Sequence, residues 1–349
     1  MTILSDGINP DGVLAGRLTR RRFIRISGAV AGVSLAALGA GSAWPGRASP
    51  LFHEWHGVAL GADASLQLYH QDTAEAECLI ADALDEVHRL ERVFSLYDST
   101  SALCQLNRDA HLVDPPQELV ELLAMSARYS RATGGAFDPT VQPLWDLYAK
   151  HFGVENANPN GPSPADIADA VRRCGYQRMT VDAGKVVFER SGMGLTLNGI
   201  AQGYITDRVA ELLRARGVTH TLVDMGETRA LDAHPTGRPW SVGIRNPRTD
   251  DRSIATIALD NQAISTSGGY ETRFDASGRF NHIFDPATGS CANRYLSVSV
   301  VAPTAACADA LSTGLSILPL ERASSILADA GATRAYFVLP DGRVVDRSS

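Results

Sequence analysis

Residues 197–223 read LNGIAQGYITDRVAELLRARGVTHTLV, a stretch that contains both kinds of regular structure within a short span. Apolar residues recur at helical spacing from Ile200 to Arg216, and Gly217 follows as a helix stop. The segment Thr221–Val223 then has the β-branched and apolar composition of a strand. The stretch therefore predicts a helix that leads almost directly into a strand.

The same two patterns continue on both sides of this stretch, but in an irregular order. Helical spacing predicts helices at 73–96, around 119–129 and at 306–317, and a shorter helix that Ser163 caps. Strand composition is found at 65–69, 179–181, 186–188, 240–244, 254–259, 296–301 and 335–339. Because helices and strands do not alternate regularly, the sequence favours an α+β fold with mixed sheets and packed helices over a doubly wound sheet.

Composition excludes several classes of protein. The chain has 349 residues, 44% of them hydrophobic, which is enough for one large core or for two domains. Its net charge of −7 argues against nucleic acid as the main partner, because no basic excess exists to neutralise phosphates. The five cysteines form no CxxC pair or close Cys/His group, so neither a disulfide scaffold nor a zinc site is expected.

The N-terminal segment has the pattern of an export signal. The basic run Thr19–Arg25 contains consecutive arginines before Phe23 and is followed by an uncharged, Ala- and Gly-rich stretch from Ile26 to Gly46. This pattern is typical of a twin-arginine signal, with Gly41-Ser42-Ala43 as a small-residue cleavage site. A transmembrane anchor is the alternative, since the uncharged run is about long enough to span a bilayer. We expect a signal peptide at 1–48, a single domain at 49–349, and a periplasmic location.

Five polar or glycine-rich segments are candidates for the chemistry, although each alone is compatible with a purely structural turn. They are Gly134–Thr140, Asn198–Tyr204 at a helix start, the hydroxyl-rich turn Ser265–Gly269, His282–Gly289, and Ala308–Thr313. Asp309 and Thr313 are four residues apart on one helical face, and carboxylate and hydroxyl oxygens are what Mg²⁺ accepts. The sequence contains no GxSxG, P-loop or GxGxxG motif, which argues against the common hydrolase, kinase and dinucleotide-binding folds.

Taken together and in this order, the segments resemble the ApbE family of FAD:protein FMN transferases. The resemblance extends from about Leu60 to Leu339 and includes seven segments in register. They are LGA at 60–62, SLY at 95–97 with LN at 106–107, GAFDPTVQPLW at 135–145, LNGIAQGYITD at 197–207, STSGGY at 265–270, HIFDPATG at 282–289 and ADALST at 308–313.

The resemblance implies an ApbE-like fold and a Mg²⁺-dependent reaction that moves FMN from FAD to a Thr or Ser hydroxyl of an acceptor protein, with AMP as the leaving group. By position, the flavin nucleotide would contact Leu60, Tyr97, Ala136, Phe137, Asp138, Thr196, Gln202 and Phe284. Asp309 and Thr313 would bind Mg²⁺ through their side chains and Gly199 through its backbone oxygen, with Ser312 adjacent. His282 takes the position of the family's catalytically important histidine, and Asp285 would orient it or act as a substitute base.

Four positions depart from the family's usual residues, namely Ala62, Thr196, Gln202 and Glu227. Exported members with a twin-arginine signal resemble the accessory protein of nitrous-oxide respiration. The resemblance therefore implies an acceptor that is a flavoprotein subunit of a membrane electron-transport complex. Two other activities stay open at this point, a metal-dependent FAD pyrophosphatase and a non-catalytic flavin-binding protein.

Overall fold

The computed structural model describes residues 50–59, 61–249 and 253–349 of the chain, so the predicted signal peptide and Leu60 lie outside the described residues. The helices are α1 Thr73–Phe94, α2 Ala102–Asp109, α3 Gln117–Ala132, α4 Gln142–Phe152, α5 Pro164–Arg173, α6 Ala201–Ala215, α7 Ala305–Leu315 and α8 Ala323–Ala330. The strands are β1 Leu51–Ala59, β2 Ala62–His70, β3 His111–Val113, β4 Met179–Val181, β5 Lys185–Phe188, β6 Thr221–Asp224, β7 Thr228–Leu231, β8 Trp240–Arg245, β9 Ser253–Leu259, β10 Ala263–Ser267, β11 Ser297–Ala302, β12 Arg334–Val338 and β13 Val344–Ser348.

An eight-stranded antiparallel sheet forms the centre of the molecule, with strand order β1-β2-β6-β7-β10-β11-β12-β13. Helix α7 packs on β10 and β11 in the middle of this sheet, and α6 packs on β6 and β7. The main hydrophobic core lies between the sheet and these helices, together with α1 and α3. Burial of the two central helices places their facing residues in a water-poor environment, where polar groups interact strongly.

Smaller units surround the central sheet. Strands β3, β5 and β4 form a three-stranded sheet, and β8 pairs with β9 as a hairpin. A second hydrophobic cluster, rich in aromatic rings, joins α4 and α5 to residues 274–291 and includes Tyr148, Phe274, Phe280 and Phe284. This cluster supports the irregular segment that carries His282.

The α+β prediction is confirmed, and the long helices are found close to their predicted bounds. The helix predicted at 73–96 is α1, and the helix predicted at 200–216 is α6. The prediction of a turn at Ser265–Gly269 is wrong in part: Ser265–Ser267 belong to β10, paired with β11, and the turn begins only at Gly268. Within the part of the chain that the structure describes, no helix combines the length and apolarity needed to cross a membrane.

Candidate active site

Helices α6 and α7 approach so closely that their backbones nearly touch. A Cβ atom on Gly203 would lie 2.5 Å from the carbonyl oxygen of Ala305, so glycine is required at this point. The two carboxylate oxygens of Asp207, on α6, accept the N–H groups of Ala305 at 2.8 Å and Ala306 at 2.9 Å, and Arg229 donates to Oδ1 at 2.5 Å. Asp207 thereby satisfies two of the free N–H groups at the start of α7 and fixes that helix end against α6.

Asp309 and Thr313 come from successive turns of α7 and face the start of α6. Asp309 is only 3% exposed, and its Oδ2 accepts the N–H group of Gly203 at 3.1 Å. A Cβ atom on Gly199 would lie 2.9 Å from Thr313 Oγ1, so the Gly199 backbone adjoins that hydroxyl. The structure therefore brings Gly199, Asp309 and Thr313, three of the predicted metal ligands, to one place, which we call the α6–α7 junction.

A row of hydroxyl groups connects the end of β10 to the α6–α7 junction. Ser267 Oγ lies 2.7 Å from Ser312 Oγ and 3.1 Å from Thr313 Oγ1. Ser312 Oγ also donates to the carbonyl oxygen of Asp309 at 2.9 Å. The hydroxyl of Ser312, the fourth predicted ligand, is thus engaged with protein groups on both sides and supports the positions of its neighbours.

Burial and like charge dominate the electrostatics of the junction. Burial raises the pKa of the Asp309 carboxyl to about 8. The hydrogen bond from the Gly203 N–H lowers this pKa, and the negative charges of Glu271 and Asp207 raise it further. Burial also holds the pKa of Glu227 well above its usual range, and the charge of Asp309 adds to this effect. The hydrogen bonds that oppose these shifts come from uncharged donors, Gly203 for Asp309 and Ser265 for Glu227. A divalent cation at the junction would favour the ionised form of both carboxyl groups.

The donor set at the junction fits Mg²⁺. The described residues contain no group of three or more His, Cys, Asp or Glu side chains placed to hold a metal ion. The junction instead offers the Asp309 carboxylate and the Thr313 hydroxyl, with the Gly199 backbone beside them, and these are oxygen ligands. Mg²⁺ is typically held by one or two carboxylates and completes its octahedron with water and substrate phosphates.

The predicted flavin-contact residues fall into two groups, of which the first lies in the turn between α3 and α4. Phe137 is 3% exposed, and its ring would meet a Cβ atom on Gly199 at 3.4 Å, so it packs against the junction. Asp138 accepts hydrogen bonds from the N–H and hydroxyl of Thr140, at 2.8 and 2.6 Å, and from the N–H of Tyr176 at 3.0 Å. In this structure the Asp138 carboxyl closes the turn, and Ala136 lies within the same turn.

The second group lies around the start of α6 and in the His282 segment. Thr196 donates its N–H to Pro139 at 2.8 Å, and the Gln202 amide lies against Gly226, where a Cβ atom would be 2.7 Å from Nε2. Phe284 is buried in the aromatic cluster, and Tyr97 is 67% exposed. These contacts leave the flavin assignments as predictions, and Leu60 lies outside the described residues.

His282 is held in a defined orientation by one backbone carbonyl. Its Nδ1 lies 3.2 Å from the carbonyl oxygen of Thr272, which also accepts the His282 backbone N–H. Because a carbonyl can only accept, Nδ1 must carry the proton, and the lone pair is then on Nε2. Burial lowers the pKa of the His282 imidazole, so the ring is neutral near pH 7 and can accept a proton.

Asp285, predicted to support His282, uses its carboxyl to shape the following turn. Oδ1 accepts the N–H of Ala287 and Oδ2 accepts the hydroxyl of Thr288, both at 2.9 Å. The backbone of Asp285 is also hydrogen bonded to Ser290 and Gly289. These contacts favour the role of turn initiator, which is common for Asp before Pro, and the catalytic role stays a prediction.

Sequence reasoning missed several residues that contact the site. Ser267 was recognised only as part of a hydroxyl-rich segment, and Glu227 only as a departure from the family pattern. Thr272 acts through its carbonyl oxygen, which no residue type reveals. Asn281 was missed as well, and the only feature of the sequence that could have indicated it is its position directly before His282.

Comparison with known proteins identifies the family of the chain. The ApbE family model matches residues 60–337. The FAD:protein FMN transferase of Klebsiella pneumoniae (strain 342) is 30% identical over 298 residues, which cover 82% of this chain and 84% of that protein. The crystal structure of the ApbE protein of Thermotoga maritima has a TM-score of 0.74 at 29% identity and covers 85% of this chain and 97% of that one. The apo form of the Pseudomonas stutzeri flavinyl transferase ApbE has a TM-score of 0.71 at 27% identity, with 86% and 95% covered. The resemblance inferred from the motifs is confirmed, and the chain belongs to the ApbE family.

Proposed function

We propose that this protein transfers FMN from FAD to a Thr or Ser hydroxyl of an acceptor protein, in a Mg²⁺-dependent reaction that releases AMP. The observation that carries the proposal is the α6–α7 junction, where oxygen ligands lie beside buried carboxyl groups whose ionised form a cation would stabilise. A histidine that is neutral near pH 7 follows Asn281, which packs on Gly269, two residues after the Ser267 that contacts Thr313. Curated relatives that cover most of the chain are named FAD:protein FMN transferase, which supports the same reaction.

The junction would hold the metal through Asp309, Thr313 and the carbonyl of Gly199. Bound there, Mg²⁺ supplies neutralisation of the charge that develops on the FAD pyrophosphate. Ser267 and Ser312 keep the Thr313 hydroxyl and the Asp309 backbone in place through their hydrogen bonds. Because these hydrogen bonds are already formed, they need no rearrangement when the substrate binds.

His282 would accept the proton of the attacking hydroxyl. The acceptor oxygen forms a bond to the phosphorus of the FMN half of FAD, and the bond from that phosphorus to the bridging oxygen breaks. The electron pair leaves with AMP, while the hydroxyl proton passes to Nε2 of His282. The carbonyl of Thr272 keeps the proton already present on Nδ1, which stabilises the imidazolium that forms.

The test is incubation of the purified protein with FAD, Mg²⁺ and a fragment that carries the Thr-containing acceptor motif of flavinylated proteins. Intact mass and in-gel flavin fluorescence follow the fragment, and chromatography follows AMP. We expect a mass gain of one FMN and one AMP released for each modified fragment. The same fragment with Ala in place of the acceptor Thr is the matched control and should gain no mass.

Two other results would contradict the proposal in different ways. Free FMN and AMP with an unmodified fragment would identify a pyrophosphatase. FAD that binds without being consumed, with or without Mg²⁺, would identify a flavin-binding protein. In that case substitution of Asp309 would leave function unchanged, because a carrier has no use for the metal.

We also propose that the protein acts in the periplasm after twin-arginine export, on a flavoprotein subunit of a membrane electron-transport complex such as that of nitrous-oxide respiration. The basis is the sequence of the N-terminal segment, with its consecutive arginines and small-residue site. Replacement of Arg20 and Arg21 by Lys should keep the protein in the cytoplasm and abolish flavinylation of exported acceptors. Unchanged export of that variant would contradict the proposed route, and an identical set of flavinylated proteins in a deletion strain would contradict the proposed acceptor.

A further inference from the structure

Asn281, the residue before His282, has a buried and fully engaged side-chain amide. It is 1% exposed, and its Oδ1 accepts the N–H of Ile283 at 3.1 Å. Its Nδ2 donates to the carbonyl of Ala292 at 2.9 Å and to Asn293 Oδ1 at 3.3 Å. The Asn281 side chain thus binds the backbone of Ile283, on the other side of His282, and that of Ala292, eleven residues further along the chain.

The segment that carries His282 has little regular structure of its own. It is joined to its neighbours by two isolated β-bridges, Arg273 with Asn281 and Phe284 with Cys291. Such a segment is fixed by its side-chain hydrogen bonds more than by a sheet ladder, so loss of a buried amide affects its geometry directly.

The Asn281 amide also contacts the turn that follows β10. A Cβ atom on Gly269 would lie 2.8 Å from Asn281 Cγ, so the amide packs directly on the Gly269 backbone. Two residues earlier, Ser267 contacts Thr313 at the α6–α7 junction. Asn281 therefore lies between His282 and the Gly268-Gly269 turn, which directly follows the Ser267 that contacts Thr313.

We propose that Asn281 is a positioning residue for His282: its amide fixes the 281–283 backbone against the Gly268-Gly269 turn, so that the imidazole stays on the Thr272 carbonyl with its lone pair on Nε2. The catalytic consequence of this role rests on the proposed function. The positioning itself is a property of the protein without substrate and can be measured separately.

The first measurement is the histidine tautomer, read by ¹⁵N NMR on full-length protein labelled with ¹⁵N-histidine, without FAD or acceptor. The His282 signals are assigned by their absence in His282→Ala. We expect a protonated Nδ1 and an unprotonated Nε2 in the parent, and a mixture of both tautomers in Asn281→Ala. The matched control is Asn293→Ala, which leaves the Asn281 bonds to Ile283 and Ala292 in place and removes only its longer donated bond, together with the bonds that Asn293 itself donates to the carbonyl oxygens of Arg279 and Cys291. It should keep the parent tautomer.

The second measurement is the rate of FMN transfer. We expect Asn281→Ala to lower kcat about tenfold while the KM for FAD changes less than about twofold, because misplacement of a base affects the chemical step. Asn293→Ala should stay within about twofold of the parent in both constants. A parent protein that shows the Nδ1-protonated tautomer but transfers no FMN would refute the proposed function and leave the positioning role intact.

The proposal is overturned if Asn281→Ala keeps the single tautomer of the parent, or if its kcat is unchanged. If Asn281→Ala lacks the parent's near-ultraviolet circular dichroism, the same measurements on Asn281→Asp decide, since aspartate keeps the acceptor for Ile283 and loses both donors. A mixed tautomer and a lowered kcat in that variant would support the proposal. Failure of both variants to fold would overturn it, because Asn281 would then be a requirement of the fold and not of His282.

Discussion

The two halves of the candidate site are built in opposite ways. The α6–α7 junction consists of regular elements in contact through small residues, with Gly203 against Ala305 and the Gly199 backbone against Thr313. The His282 segment has two isolated bridges and depends on side-chain hydrogen bonds such as those of Asn281. The packed helices hold the Asp309 carboxyl in a rigid, buried environment, where an unpaired charge is costly and a bound cation would be held strongly. His282, the proposed base, is half-buried in this irregular segment, and catalytic residues are often carried by such loops.

The largest effect should come from removal of the junction's carboxylate. Asp309→Ala should lower transfer by about a thousandfold or more, because a metal ligand contributes several kcal/mol to the transition state. Its thermal unfolding midpoint without Mg²⁺ should be close to that of the parent, because relief of the burial that raises the pKa of this carboxyl is offset by loss of the hydrogen bond from the Gly203 N–H. Fragment flavinylation and calorimetry measure the two quantities.

The matched control is Ser316→Ala at the residue that follows α7, which loses a hydrogen bond from its hydroxyl to the backbone carbonyl oxygen of Ser312 at 2.8 Å. It should transfer FMN within about threefold of the parent. Turnover of Asp309→Ala near that of the control would contradict the metal assignment, and Thr313→Val provides an independent check with the same expected loss.

Loss of the histidine should affect rate more than binding. His282→Ala should slow single-turnover transfer about a hundredfold, the usual contribution of a general base, while the Kd for FAD changes less than about twofold. Rapid-quench kinetics and isothermal titration calorimetry measure these values. His234→Ala is the control, because His234 contacts Tyr69 and Trp240 away from the junction. An unchanged rate in His282→Ala would remove its proposed role and leave the junction as the sole catalytic element.

Proton competition should make metal binding at the junction depend on pH. An acid whose pKa is raised to about 8 is protonated below that pH, and the proton must leave before Mg²⁺ can bind. The apparent Kd for Mg²⁺ should therefore rise about tenfold per pH unit as pH falls from 8 to 6, and level off above pH 8. Calorimetry in buffers of different ionisation enthalpy would also detect the released proton. A Kd that is constant between pH 6 and 8 would show that Asp309 is not the group that binds the metal.

The smallest effect tests the hydroxyl groups that support the ligands. Ser267→Ala removes the partner of Thr313 Oγ1 and should weaken Mg²⁺ binding about tenfold, as expected for a group that orients a ligand. Thr266→Val is the control, because Thr266 pairs with Ser299 on the other face of β10. Equal Mg²⁺ affinities in the two variants would show that the Ser267 hydroxyl only fills space and does not orient Thr313 for metal binding.

The difference between the two regions also explains which parts of the fold and of the site could be predicted from the sequence. Helix α1 was predicted closely because its apolar residues follow the helical period over 22 residues and Asp72 caps its start. The shared face of Asp309 and Thr313 was predicted for the same reason, because spacing along a helix fixes the direction of its side chains, whereas Gly199 came only from the family resemblance. Helices α2 and α4 were missed, since α2 is short and α4 follows a Pro-containing turn without a clear cap.

The His282 segment could be located from its motif but not oriented. The tautomer depends on the carbonyl of Thr272, ten residues earlier, and the backbone depends on a hydrogen bond from the Asn281 side-chain amide to the carbonyl oxygen of Ala292. Contacts between backbone and distant side chains leave no periodic signal in a single sequence. The same limit explains the partial error at Ser265–Ser267, where hydroxyl residues that favour turns are held in β10 by pairing with β11.

The most direct test of the central claim, that α6 and α7 create one metal site, is a crystal of the protein grown with FAD and Mn²⁺ in place of Mg²⁺. Manganese gives an anomalous signal and accepts the same oxygen ligands. The account predicts an anomalous peak bounded by the Asp309 carboxylate, the Thr313 hydroxyl and the carbonyl of Gly199, with phosphate oxygens of the nucleotide completing the coordination. An occupied nucleotide site with no peak at the α6–α7 junction, or a peak coordinated by other residues, would contradict it.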